Sequence, residues 1–131
     1  DLFLDTGSPH YVRIVDELDD FDVYNNGRKV RNSPVFKKKG INVNFVKVIS
    51  ESEFYVRTYE RGVENETLSC GTGVTAVALA MYNLGITKLK HIKINTKGGI
   101  LTVKFMPTDY GFEKIILSGN VDFVFKGEFT L

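Results

Sequence analysis

The stretch GVTAVALAMYNL, Gly73–Leu84, decides the fold. It lacks the alternation that fills most of the chain, and its Ala, Leu and Met residues favour helix. Val74, Ala76, Val77, Ala78, Leu79, Ala80 and Met81 leave almost no polar face. A helix that is apolar all round has to be enclosed by protein. Gly85 follows as the residue that closes it. The pattern therefore predicts a central buried helix over about residues 72–84.

Outward from this helix the chain reads as short strands. Leu2 to Thr6 and Tyr11 to Val15 flank the turn residues Gly7-Ser8-Pro9-His10. Phe21 to Arg31 has the composition of a short helix with Asp19 or Asp20 as its N-cap, ended by Ser33-Pro34. Asn42 to Ile49 and Phe54 to Tyr59 alternate at period two. After the apolar helix, strands are expected at His91–Asn95, Ile100–Phe105, Lys114–Ser118 and Val121–Phe125, with Gly98-Gly99 as a hairpin turn. The expected architecture is α+β, about eight strands curved around the central helix. The 131 residues form one domain, without repeat, linker or low-complexity tract.

Composition excludes several function classes. A net charge of +1 gives no global field for nucleic acid or an acidic membrane. The short run Lys37-Lys38-Lys39 lacks interleaved aromatics and reads as a solvated loop. No stretch reaches the roughly 18 apolar residues of a membrane span, and no signal peptide is visible. One cysteine cannot form an internal disulfide, which fits a reducing compartment, so cytoplasm is expected. The chain opens as DLFLDTG, without Met and with strand-like alternation already running, as a piece of a longer protein would.

That single cysteine, Cys70, immediately precedes the apolar helix and is followed by Gly71-Thr72-Gly73. Two readings stand side by side. Cys70 can be a packed small hydrophobe beside a glycine turn. Alternatively, free backbone N–H groups at the helix start favour an anion and lower a thiol's pKa, making a reactive thiol beside an anion nest. Arg61, next to Glu60 after a strand, can clamp a carboxylate or merely form a surface ion pair. His10, in its turn, can titrate near neutrality or be structural. One Cys and two distant His show no metal-ligand spacing, so no metal is expected.

YERGVENETLSCGTG (Tyr59–Gly73) resembles the WERGxGETxxCGTG-type signature of the diaminopimelate epimerases. GSPH (Gly7–His10) is similar to that family's GNPH, and INVNF (Ile41–Phe45) to its TNVEF-like segment. TKGG and LSGNVDFVFKGE, in order towards the end of the chain, resemble the family's PGG and TGPAxxVFxGE. The resemblance implies a PLP-independent amino-acid epimerase, with no cofactor, interconverting LL- and meso-diaminopimelate on the route to lysine and peptidoglycan. Members have two similar domains, each contributing one cysteine to a site between them. Residues 1–131 match the C-terminal domain, so the partner cysteine belongs to an N-terminal domain outside this chain. By matching position, Cys70 is implied as one catalytic cysteine, with Glu60 holding the substrate amino group and managing the Cys70 proton. Arg61 and Asn42 are implied as substrate-binding, Asn42 at the distal end, with Gly71 and Thr72 offering backbone N–H groups to the α-carboxylate. His10 is expected close to the partner domain's cysteine. Ser8 replaces the family's usual Asn, which shortens or removes a substrate contact there. One residue more than the family spacing lies between Arg61 and Cys70, which puts the local turn in question.

Proline racemase-like enzymes share the fold and the two-cysteine idea, and a non-catalytic binding domain of the same fold is the reading from another class. A small-molecule substrate is the expected partner, and a homodimer through an exposed apolar face is left open.

Overall fold

The computed structural model describes residues 1–130. The chain folds as β1 (Leu2–Asp5), β2 (Pro9–Ile14), α1 (Val23–Arg31), β3 (Asn42–Val48), β4 (Glu53–Glu60) and β5 (Asn65–Thr67). α2 (Gly71–Asn83), β6 (His91–Thr96), β7 (Gly99–Thr108) and β8 (Gly111–Gly119) follow. All eight strands belong to one sheet in the order β1-β2-β3-β4-β6-β7-β8, with β5 paired to β4 off this path. β2–β3 and β4–β6 are parallel, and the other pairs are antiparallel. Each parallel pair needs a crossover, and α1 and α2 supply the two.

α2 is the centre of the molecule. Its residues Gly73 to Met81 are all buried, and it contacts β1 to β4 and β6 to β8. Val12, Val46, Phe54, Val56, Ile92, Ile94, Val103 and Phe105 pack round it. This is the α+β half-barrel curled on a wholly apolar helix that the sequence pattern required. α1 covers the opposite face of the sheet, where Val23, Ile41, Val43, Phe45 and Tyr59 form a second core. β3 lies between both helices, so residues 42 to 46 are all buried and its two asparagines sit where polar side chains need partners. Gly27 in mid-α1 lets the helix lie directly on the Tyr59 ring, since a Cβ there would overlap it.

Three local expectations change. The N-cap of α1 is Asp22, whose carboxylate accepts from the Asn25 N–H at 3.0 Å, and not Asp19 or Asp20. The Arg57 guanidinium takes the carbonyls of Leu18, Asp19 and Phe21 at 2.6, 2.9 and 3.0 Å, holding that segment out of the helix. His10 lies within β2, opposite Leu4 and Asn42, and not in the preceding turn. Val121–Phe125 forms no strand: β8 already closes the free side of β7, and residues 121 to 125 pair with nothing. A short strand that the sequence pattern did not signal, β5, makes up the eight.

Candidate active site at the start of the central helix

Cys70 is the N-cap residue of α2, in extended conformation, half-buried, with no side-chain cap hydrogen bond closing that end. Its position is fixed from both sides. The Gly98 N–H in the β6–β7 turn donates to the Leu68 carbonyl at 2.8 Å, holding the approach to the helix. Thr6 Oγ1 donates to the Thr72 carbonyl at 2.9 Å, tying the first turn to the loop after β1. Gly73 is required here, because a Cβ would lie 2.5 Å from Asn44 Oδ1 and 3.2 Å from the Cys70 sulfur.

Around the sulfur the sequence-predicted residues form one connected cluster. Thr72 Oγ1 lies 3.6 Å from Cys70 Sγ and 2.9 Å from His10 Nε2. Ser8 Oγ is 3.0 Å from His10 Nε2 and 3.4 Å from Thr72 Oγ1. Asn42 Nδ2 donates to Ser8 Oγ and to the Pro9 carbonyl, both at 3.2 Å, while its Oδ1 accepts from the Arg61 backbone N–H at 2.9 Å. The Asn42 amide is thus engaged in positioning Ser8 and Arg61. The Arg61 side chain is exposed, donating to the Lys39 carbonyl at 3.1 Å. Glu60 faces the sulfur from the end of β4, and Thr67 Oγ1 donates to its Oε1 at 2.7 Å. The Gly71 carbonyl accepts from Thr75 Oγ1, so its N–H is the group that can face a ligand.

Two proton affinities bear on the readings that the sequence left open. The Cys70 thiol pKa is pushed above its usual value, not lowered. Burial is the largest cause; the Thr72 hydroxyl and the Gly73 N–H pull it down, and the Glu60 carboxylate pushes it up again. The helix start stabilises the thiolate but does not outweigh desolvation and a neighbouring negative charge. His10 does not titrate near neutrality. Its pKa falls from 6.5 to about 4, chiefly because burial disfavours the imidazolium; Asp5 opposes the shift and Arg61 adds to it. At neutral pH the cluster therefore holds a protonated thiol and a neutral imidazole.

The longer spacing before Cys70 is absorbed by a tight turn. Glu64 adopts φ 57° after Gly62 at φ 93°, and its N–H donates to the Glu60 carbonyl at 2.8 Å. The Glu64 carboxylate then accepts from Gly62 N–H, Arg31 Nε and Tyr59 OH at 3.1, 3.0 and 3.1 Å. Glu60 and Asn65 still pair across the β4–β5 hairpin, which keeps Glu60 in register. Three groups of structural weight were given no role from the sequence: Asn44 and Thr67, which lie within the quoted motifs, and the pair that Arg57 makes with Glu66 at 2.6 Å. The visible sign of Asn44 was its place between Val43 and Phe45 on β3, two residues after Asn42. Among the described residues no group of three or more His, Cys, Asp or Glu is arranged to hold a metal.

Strands curled on one apolar helix, with a thiol at its amino end, define a domain of the racemase and epimerase fold class. Solved structures share this fold: a predicted epimerase from Pseudomonas aeruginosa matches at TM-score 0.61 and 16% identity over 80% of this chain and 35% of that one. A hydroxyproline epimerase from Agrobacterium vitis matches at TM-score 0.59 and 14% identity, covering 85% of this chain and 38% of its own. The chain belongs to the diaminopimelate epimerase family, whose family model matches residues 2–124. A diaminopimelate epimerase from Flavobacterium psychrophilum is 50% identical over 125 residues, 95% of this chain and 49% of the relative. One from Aquifex aeolicus is 42% identical over 130 residues, 98% of this chain and 46% of the relative. The chain spans about half the length of the curated relatives it matches.

Proposed function

We propose that this chain is the C-terminal half of a diaminopimelate epimerase, supplying one of the two cysteines that invert the substrate α-carbon. The observation that supports this most is the setting of Cys70. Its sulfur lies between Glu60, which favours the thiol, and Thr72 with Gly73, which favour the thiolate. A group placed between opposing influences can give up a proton and take one back.

Inversion needs a base on one face of the carbon and an acid on the other, because a single group returns the proton to the side it left. Cys70 rests as the thiol, so its first role is the acid: the S–H bond breaks and the proton goes to the α-carbon. A thiolate on the opposite face removes the original α-proton. In the reverse direction the roles exchange. The resulting Cys70 thiolate is met by the Thr72 hydroxyl and the Gly73 N–H. Gly71 and Thr72 N–H groups at the helix start bind the α-carboxylate and stabilise the charge that develops beside it. Glu60 receives the α-ammonium, Arg61 reaches out to anionic groups of the substrate, and Ser8 and Asn42 shape the distal end. His10, neutral and buried, positions Thr72 at the side facing the partner cysteine. The chemistry requires no further electron sink, and this half acts in the cytoplasm on a small molecule.

The test is the longer protein containing this chain, incubated separately with LL-diaminopimelate and with L-proline and analysed for the inverted product. Turnover of diaminopimelate alone is expected. Turnover of L-proline alone would replace this reading with a proline racemase-like one, and turnover of neither would favour a binding domain. The 131-residue chain, holding a single cysteine, is expected to invert neither.

A further inference from the structure

We propose that Asn44 is a positioning residue that sets the direction of a hydrogen-bond chain from His10 through Thr72 to Cys70, making the Thr72 hydroxyl a donor to the sulfur. This deepens the reading of Cys70 as a proton-transfer group and rests on it. Asn44 is fully buried on β3. Its Oδ1 accepts from Thr58 Oγ1 at 2.9 Å, and its Nδ2 lies 3.1 Å from both the Tyr11 carbonyl and His10 Nδ1. A carbonyl only accepts, so the amide nitrogen, not the oxygen, must face Tyr11. The protein thereby fixes the orientation of the amide.

The rest follows from donor and acceptor inventory. An amide nitrogen donates and offers no lone pair, so His10 Nδ1 must be bare and accept from it. A neutral imidazole then carries its one hydrogen on Nε2. That hydrogen faces Thr72 Oγ1 at 2.9 Å and Ser8 Oγ at 3.0 Å. Thr72 Oγ1 is made an acceptor from the ring, and its own hydrogen is left for Cys70 Sγ at 3.6 Å. The competing acceptor, Ser8 Oγ at 3.4 Å from Thr72, has both lone pairs engaged, one by Asn42 Nδ2 at 3.2 Å and the other by its share of the Nε2 hydrogen at 3.0 Å. The thiolate therefore has two donors, the Thr72 hydroxyl and the Gly73 N–H. The other tautomer would present a bare Nε2, draw the Thr72 hydrogen to the ring and leave the sulfur with one. The charged groups acting on this chain are Glu60 on β4, which faces the sulfur, and Asp5 on β1 and Arg61 after β4, which act on His10.

Two measurements on the 131-residue chain test this without turnover. Long-range ¹H–¹⁵N correlation, with His10 distinguished from His91 by H91Q, is expected to show the Nε2–H tautomer at neutral pH. In N44D, whose carboxylate accepts, His10 Nδ1 should gain a hydrogen. The pH dependence of Cys70 alkylation by iodoacetamide reads the thiol directly. T72V should raise the thiol pKa by about one, slowing alkylation about tenfold below it, as expected for losing a hydrogen bond to a charge. T72S should restore the original value. An Nδ1–H tautomer in the unsubstituted chain, a bare Nδ1 in N44D, or an unchanged thiol pKa in T72V would each overturn the proposal. If N44D does not fold, the unsubstituted tautomer and the Thr72 pair still decide. Loss of diaminopimelate turnover in the longer protein would overturn the proposed function instead, and these two readouts would not move with it.

Discussion

At Cys70 two effects of opposite sign meet. The start of α2 offers N–H groups to a thiolate, while burial and Glu60 favour the thiol, and the balance lies with the thiol. The motifs singled out Cys70, Thr72, Ser8 and His10 as candidates, and the fold links Cys70 through Thr72 to His10 and Ser8. Their proton affinities were not legible, because desolvation depends on how much protein lies above a residue, and no local pattern records that. His10 shows the consequence. Its folded pKa of about 4 lies below the ordinary 6.5, so between these values the unfolded chain binds a proton that the folded chain refuses. The stability carried by neutral His10 is fully present above about pH 6.5 and is lost as pH falls towards about 4, some ~3 kcal/mol across that window. Urea unfolding at about pH 7.5 and about pH 5 should show His10→Gln losing ~2 kcal/mol less than the unsubstituted chain between the two. Equal losses would place the ring in a wetter environment than the fold describes.

Among the elements, α2 was the most legible, since an unbroken apolar run longer than a strand has few places to go in a chain of this size. β5 was not, because Asn65-Glu66-Thr67 carries no alternation, and its pairing is a product of the turn at Glu64. Val121–Phe125 misled for the converse reason: its apolar residues read as a strand, yet it joins neither edge strand of the sheet, β1 nor β8. The entry to α1 was decided at a distance by Arg57. That guanidinium is 8% exposed, binds Glu66 through two nitrogens at 2.6 and 2.8 Å, and satisfies three carbonyls before the helix. Burial opposes ionisation of Glu66, yet Arg57 and Lys97 hold its carboxyl below the usual range. Arg57→Met leaves the carboxylate with Lys97 alone and strands those carbonyls. Denaturant unfolding should register a loss of about 3–5 kcal/mol, the cost of breaking a buried pair from one side. A loss below about 1 kcal/mol would show that the segment before α1 holds itself.

For the molecule as a whole, the described surface is unevenly polar. Val121, Phe123, Val124 and Phe125 are each 80% exposed or more, a run of apolar side chains that would be costly to leave in water. Sedimentation of the 131-residue chain should reveal concentration-dependent self-association, and replacing Val121, Phe123 and Phe125 by Ser should shift it to monomer. A monomeric unsubstituted chain at high concentration would contradict this. The cluster at the start of α2 opens to solvent at Thr72 and Arg61, both exposed, which suits a site completed by a second body. The central claim is that Cys70 exchanges a proton with one face of the substrate carbon. Its most direct measurement is ¹H NMR of meso- and LL-diaminopimelate in deuterated water with the longer protein carrying Cys70→Ala. The account predicts that inversion is lost, while Cys70→Ala proteins still fold with the unsubstituted circular dichroism spectrum. Inversion with deuterium uptake at the unsubstituted rate would contradict it.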